Sequence, residues 1–400
     1  MAGLSAHADA CAGPALRADL TGEPPTRAVG LFVSHRGYLE GAPGGAQVCT
    51  REYIEVLRRA GVDLVLRPVE LDQRPQTRLL KRLDRSSYVR PTPPGAADAI
   101  AEEARARSAD FIFLNQMVLA GLAPRLRPQI PSGCRIVALS HGLESTDLAH
   151  LIRLKAALPL SGRRAASSAA LGRALIVEQR LHAGLDLVCA LSEFDVTLHR
   201  WLGASDAGWT PRVIEPAPLA WSPTGDRLGY FGTLDHAPNL EGLALTLEAL
   251  TRRAPPGLRV RVVGAPARIG DWLRRFACVD YLGPLDDGAL AAEAAGWSAV
   301  MHPIFCLPRG CSTKLAQAIG WQIPIVTTTA GRRGYDWRDG ALITADTPTA
   351  FVDRCLELLD PAAGAAAREQ VRRIAGSSPS LDDAAALMGR LLGRRAREEA

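Results

Sequence analysis

The sequence predicts an α/β protein of two doubly wound, Rossmann-like domains that face each other across a cleft. Three observations carry this reading. Short apolar runs rich in Val, Ile and Leu alternate with longer helix-like segments along most of the chain, the signature of parallel sheets with right-handed crossovers. The alternation occurs twice, on either side of a turn-forming segment, "SPTGDR" at 222–227, whose composition suits a linker. The length of 400 residues fits two domains of ordinary size, each large enough to bury a core.

Taken in order, residues 1–26 are rich in Ala, Gly and Pro and lack a continuous apolar stretch, so they are expected to form a disordered tail and not a signal peptide. The first domain is expected over 27–222. Its strands are "AVGLFVS" (28–34), "VDLVLRPV" (62–69), "ADFIFLN" (109–115), "CRIVALS" (134–140) and "LDLVCALS" (185–192). A glycine-rich turn opens a helix over 44–61, and the Pro- and Arg-rich stretch 71–94 reads as a loop with one short helix. The second domain, 223–377, repeats the plan with strands at 228–233, 259–264, 279–283, 298–303 and 323–328. Helices are expected near 239–253, 268–276, 287–296 and 312–320. A last amphipathic helix, about 381–399 within a 378–400 segment, is expected to pack back on the first domain. Two doubly wound domains place a ligand crevice at the carboxyl ends of their strands.

Composition narrows the class. An apolar share of 47%, 22% charged residues and a net charge of +5 describe an ordinary globular protein. Basic clusters at 81–90 and 153–173 suit a solvated face better than an anionic partner. Cys11, Cys49, Cys134, Cys189, Cys278, Cys306, Cys311 and Cys355 form no CxxC pair and read as reduced thiols of a cytoplasmic protein. No run approaches the roughly 20 apolar residues that span a bilayer, which leaves room for peripheral membrane contact only.

Four stretches carry chemistry. In "GAPGGAQ" (41–47), Gly44 and Gly45 sit between strand and helix, where bare backbone can approach a ligand; a tight turn explains them equally. In "ALSHGLESTD" (138–147), His141 follows a strand end and could hold a hydroxyl or stabilise charge. Glu144 and Asp147 suit a helix start, and Asp147 could also touch a hydroxylated substrate. "YFGTLDHAPNLEGL" (230–243) leaves Thr233 and His236 free to face a ligand. In "RGCSTKLAQAIG" (309–320), a loop enters a helix, and the amides of Gly310, Cys311, Ser312 and Thr313 favour an anion such as a diphosphate. Lys314, one of three lysines in the chain, opposes the dipole in the first turn, so an anionic partner explains it better than helix stability does. Gln317 lies one turn on. No strand is followed by a full GxGxxG with an acidic residue about 20 positions later, which argues against a dinucleotide-dependent oxidoreductase.

Together these stretches resemble the GT-B fold glycosyltransferases, specifically the retaining family-4 type that uses a nucleotide sugar. The likeness runs from about Arg27 to Leu359 and is strongest in "GYFGTLDHAPNLEGL" and "MHPIFCLPRGCSTKLAQAIGWQIPIVTTTAGRRGYDW". "DLVCALSEFD" (186–195) resembles the segment before the family's crossover. The resemblance implies that 27–222 is the acceptor side and 223–377 the donor side. Gly310 to Thr313 would then hold the diphosphate with Lys314, assisted by Thr233 and Arg309, and Gln317 would bond the ribose. Gly44, Gly45 and His141 would bound the sugar, His141 being the catalytic group, with Asp147 on the acceptor side. It implies no metal and no cofactor besides the donor substrate. The acceptor stays open between a glycan, a lipid-linked, a nucleic-acid and a small-molecule partner. The chain departs from the family at Gln317, and again at Arg309, where glutamate is usual. A catalytically silent relative that binds a ligand or partner is the second reading.

Overall fold

Two six-stranded, wholly parallel sheets organise the chain. The computed structural model describes residues 28–393 except 42–43, 85–87, 89–91, 155–157, 159–166 and 267. The expected tail at 1–26 and the far end of the last helix lie outside the described residues.

The first domain opens with β1 (Ala28–His35), α1 (Arg36–Leu39), α2 (Gly45–Arg59), β2 (Val62–Val69) and α3 (Pro75–Asp84). It continues through α4 (Ala96–Ala106), β3 (Phe111–Asn115), α5 (Met117–Ala120), α6 (Ala123–Leu126) and β4 (Arg135–Ser140). It ends with α7 (Glu144–Arg153), α8 (Ser168–Leu181), β5 (Leu187–Ala190), α9 (Glu193–Trp201) and β6 (Ala207–Trp209). The strand order is β2-β1-β3-β4-β5-β6. Leu31, Phe32 and Val33 of β1 are fully buried, as strands covered on both faces require. Along α2, Cys49, Tyr53, Val56 and Leu57 recur at helical spacing and are buried, so one stripe faces the sheet. Arg58 and Arg59 in its last turn complement the helix dipole.

The second domain begins with β7 (Arg227–Phe231), α10 (Ala237–Leu250), β8 (Arg259–Val263), α11 (Ile269–Leu273), β9 (Val279–Gly283) and α12 (Asp287–Ala294). Then come β10 (Ala299–Met301), α13 (Thr313–Trp321), β11 (Ile325–Thr327), β12 (Ile343–Thr344), α14 (Pro348–Glu357) and α15 (Pro361–Ser377). The order β12-β11-β10-β7-β8-β9 reverses direction between β7 and β10, and the first sheet reverses between β1 and β3. Such switch points open crevices at the strands' carboxyl ends.

The α/β architecture of two facing domains is the one expected. Strands β6 and β12 were not: three and two residues are too few to show any alternation, and both are edge strands placed by their neighbours. The final helix, α16 (Leu381–Gly393), sets Met388, Leu391 and Leu392 into the core that holds Tyr53, Val56 and Leu57 of α2. The Met388 sulfur lies 3.8 Å from Cys189 Sγ beneath the first sheet. Met388→Ala should therefore cost about 2–5 kcal/mol, read as a lower denaturation midpoint; an unchanged midpoint would mean that α16 adds nothing to the first domain.

Candidate functional site

The carboxyl ends of the two sheets meet at the loop that precedes α13. Ser312, its N-cap residue, gives no side-chain cap because its hydroxyl is engaged by His302, which follows β10: Oγ lies 2.7 Å from His302 Nε2, and Nδ1 lies 2.8 Å from Thr327 Oγ1. Burial first, then the charges of Lys314 and Arg333, hold His302 down at about 3, so it is a neutral strut. The Tyr335 hydroxyl enters the first turn of α13, accepting from the Ala316 amide at 2.9 Å and donating to the Ser312 carbonyl. The Thr313 and Lys314 amides, at the first two helical positions, have no carbonyl of their own helix to bond.

Lys314 turns back across the end of β7. Its Nζ lies 5.4 Å from the Tyr230 ring centroid and is buried without a hydrogen-bond partner among the described residues. Gly232, with φ +139°, makes room for it: a Cβ there would stand 2.5 Å from Nζ. Burial pulls the Lys314 amine down to about 7. Opposite, the start of α2 approaches closely, since a Cβ on Gly45 would stand 3.5 Å from Thr313 Oγ1. Two helix N-termini and a buried amine thus converge on one place, an arrangement suited to an anion. Gln317 is exposed one turn along α13, and Thr233 is exposed at the crevice. The Thr233 carbonyl is held by Asn239 Nδ2 at 2.9 Å.

His141 lies on the first-domain side. Its Nε2 is 2.9 Å from Asn115 Oδ1 at the end of β3, and its ring is 5.7 Å from that of Tyr53. Burial, with Arg212 and Arg309 nearby, pushes its pKa down to about 3. The ring is therefore neutral in the ordinary pH range.

Arg309 and Gly310 are placed differently from the expectation that they hold a diphosphate. Asp147 accepts the Arg309 amide at 3.1 Å and pairs with its Nε at 3.0 Å. Gly142, φ +96°, lies so close that a Cβ on it would stand 2.2 Å from Gly310 N. The Arg333 guanidinium binds the carbonyls of Pro308 and Gly310 from behind. The loop is thus docked on the first domain, with Arg309 engaged by a carboxylate. Asp147 likewise caps this loop across the cleft; its own helix, α7, has no side-chain cap. Burial opposes the Asp147 carboxylate, but His236, 3.8 Å away, and Arg309 outweigh it and hold its pKa below the ordinary value. His150 and Glu241, 3.0 Å apart, add a second contact between α7 and α10. His236, read from the sequence as free, therefore belongs to this interdomain contact.

Cys311 turns toward the core that contains Cys49, and Cys49, Cys134, Cys189, Cys278, Cys306, Cys311 and Cys355 are free thiols. Among the described residues no group of three or more His, Cys, Asp or Glu could hold a metal ion, and no helix is long and apolar enough to cross a membrane. Sequence reasoning missed Asn115, His302, Arg333 and Tyr335. For Asn115 and His302 a signal existed, a lone polar residue closing or directly following an apolar strand; Arg333 and Tyr335 act only through the folded loop.

Residues 225–361 match the family model described as Glycosyl transferases group 1. No curated protein sequence matches the chain. Among solved structures, the sucrose-phosphate synthase of Thermosynechococcus elongatus is similar with a TM-score of 0.64 at 17% identity, covering 94% of this chain and 100% of that one. The apo form of the lipopolysaccharide outer core galactosyltransferase WaaB gives 0.59 at 13% identity, over 92% and 99% of the two chains. A mutant of the Thermobaculum terrenum O-GlcNAc transferase gives 0.57 at 17%, over 94% and 70%. At these identities the likeness bears on the fold, which is GT-B. Together with the family match to the second domain, it supports a glycosyltransferase.

Asp147→Asn keeps an acceptor for the Arg309 amide and removes the charge on Nε. Because Arg309 is half exposed, we expect a loss of about 1 kcal/mol. The cleft should also loosen, seen as a larger radius of gyration in solution scattering. An unchanged radius and midpoint would show that the pair does not hold the domains together.

Proposed function

We propose that the cleft transfers a sugar from a nucleoside diphosphate sugar to an acceptor hydroxyl, in the manner of the retaining family-4 enzymes that the sequence resembles. The observation that carries this reading is the Lys314 amine, buried against the Tyr230 ring with no hydrogen-bond partner among the described residues, beside two converging helix N-termini. A buried cation left unpaired is costly, and a diphosphate in the crevice would supply the missing charge. The diphosphate would lie against Lys314 and the Thr313 and Lys314 amides, with Ser312 and Cys311 shaping the turn. Gln317 would meet the ribose, with Thr233 at the rim. The sugar would sit between this helix start, Gly44–Gly45 and His141.

The chemistry asked of the protein is modest. Negative charge grows on the departing diphosphate, and preorganised cations and amides aimed at it lower the barrier. Lys314 and the dipole of α13 supply that charge from the chain itself, which is why we propose that no metal is needed. Holding the acceptor hydroxyl on the leaving group's face of the sugar would give retention. Arg309 and Asp147 act in this scheme by docking the loop against the first domain. Free thiols suit a reducing compartment, and we place the protein in the cytoplasm. The departures at Gln317 and Arg309 favour, as second reading, a silent relative that binds the nucleotide and does not transfer. A screen of nucleotide sugars separates them: turnover supports the enzyme, binding without turnover the silent relative.

Two tests bear on the site. Lys314→Met should weaken nucleoside diphosphate binding about 10- to 100-fold, the worth of a charge-assisted hydrogen bond. It should not destabilise the free protein near pH 6, because the buried amine is a burden there; unchanged affinity would remove Lys314 from the phosphate site. His141→Ala should depress transfer far more than nucleotide binding, and equal loss of both would move it away from the sugar.

The pH dependence follows from the depressed Lys314 pKa. The unfolded chain holds this proton more tightly than the folded one, so the free protein gains stability as pH rises from about 7 toward the ordinary lysine value. Anion binding requires the charged form. Above pH 7 binding should therefore take up a proton, and affinity should fall by up to about tenfold per pH unit. Calorimetry in buffers of different ionisation enthalpy checks this; no proton uptake at pH 8 would contradict it.

A further inference from the structure

We propose that Asn115 is a positioning residue that locks His141 as a hydrogen-bond acceptor through Nδ1. The inference rests on the reading of His141 as the group beside the transferred sugar. Asn115 closes β3 and is fully buried. One end of its amide lies 2.9 Å from both Ser34 Oγ and Thr50 Oγ1, and the other lies 2.9 Å from His141 Nε2. Which end faces which is decided by the hydroxyls. Thr50 Oγ1 donates its one proton to the Ala46 carbonyl, a turn back along α2, at 2.8 Å. Ser34 Oγ donates to the His35 carbonyl at 3.3 Å. Each hydroxyl can then only accept from Asn115, so both require its NH2 end.

The amide oxygen is left for His141. A carbonyl oxygen only accepts, so Nε2 must carry the ring proton and Nδ1 must carry the lone pair. Nδ1 is buried and has no hydrogen-bond partner among the described residues. The low pKa of the ring, about 3, keeps that lone pair unprotonated near neutrality. His141 can therefore accept from a substrate hydroxyl, and it cannot hand a proton to a leaving oxygen or act as a cation. Of the two determinants, Ser34 stands near the end of β1 and Thr50 on the helix that begins at Gly45, so the tautomer is tied to the element that carries the glycine turn. Turned the other way, the amide would place its NH2 against Nε2 and its oxygen against a Thr50 hydroxyl already committed to Ala46.

The test is nuclear magnetic resonance of the full chain labelled with nitrogen-15 at histidine, without ligand, at pH 7–8. His141 is identified by the signals lost in His141→Gln. The expected result is a single tautomer, Nε2 protonated and Nδ1 bare. A protonated Nδ1, whether in the other tautomer or in an imidazolium, overturns the proposal. In Asn115→Leu the two nitrogen signals should move toward each other as tautomers average. Asn115→Asp, which can only accept, should keep the single form and raise the pH at which the ring titrates. The double variant Ser34→Ala with Thr50→Val, which removes both acceptors and frees the amide to turn, serves if Asn115→Leu does not fold, and Thr50→Ser alone should keep the wild-type signals. Unchanged signals in Asn115→Leu, or in the Ser34→Ala and Thr50→Val double variant, would equally overturn it. None of these readouts uses a nucleotide sugar, so failure to bind any donor would sink the functional reading and leave this one standing.

Discussion

The geometry of the cleft depends on a buried arginine. Arg212 lies where the chain leaves the first domain; it is 2% exposed and pairs with Glu52 of α2 at 2.7 Å. Its amide bonds the Gly334 carbonyl of the second domain at 3.0 Å, while Glu52 also accepts the Val213 amide at 3.1 Å. One residue is thus fastened to both domains. Burial pushes the Glu52 carboxyl upward against the pull of Arg212. A buried pair of this kind contributes register more than net stability, and register is what is needed here. The helix that carries Glu52 begins at Gly45, so the crossover pair fixes how far the start of α2 stands from the start of α13.

Around that constraint the charges of the cleft sort by whether they have a partner. Arg212, Arg309 and Arg333 are spent on carboxylates or carbonyls. Among the described residues the Lys314 amine has no hydrogen-bond partner, and the imidazoles of His302 beside it and of His141 are kept neutral by burial. The two neutral imidazoles matter for the anion site in different ways. His302 holds the loop by fixing the Ser312 hydroxyl, and His141 closes the opposite wall. The fixed positive charge is thereby concentrated at one amine and one helix end.

Much of the fold was legible because buried parallel strands are continuous apolar runs, as in β1, β3 and β4; the partly buried edge strands β2 and β9 also match their expected spans to the residue. The glycine turn before α2 and the polar start of α13 were legible for a related reason, since bare backbone and an ill-placed lysine stand out locally. What was hidden is long-range. Nothing in "ESTDLAH" announces that Asp147 caps a loop some 160 residues away, and nothing near Arg309 says that its charge is already taken. The surroundings of Gly310 were hidden for the same cause: Gly142, φ +96°, packs against it from the other domain. Asn115 and His302 were visible as polar residues closing or following apolar strands, but the partners of Asn115 come from three separate segments and those of His302 from two.

The docking of α16 has a mechanical consequence. The chain enters the second domain near Arg212 and comes back after Ser377, so the two domains are joined by two covalent strands and not by one. A single strand would act as a swivel, free to turn in any direction. Two separated strands define a line, and motion that stretches neither is rotation about that line. The lobes are therefore built to open and shut like a book bound along one edge. Cys311, next to Gly310, packs against Gly334, whose carbonyl takes the Arg212 amide, so this loop lies close to the spine and moves little when the book opens.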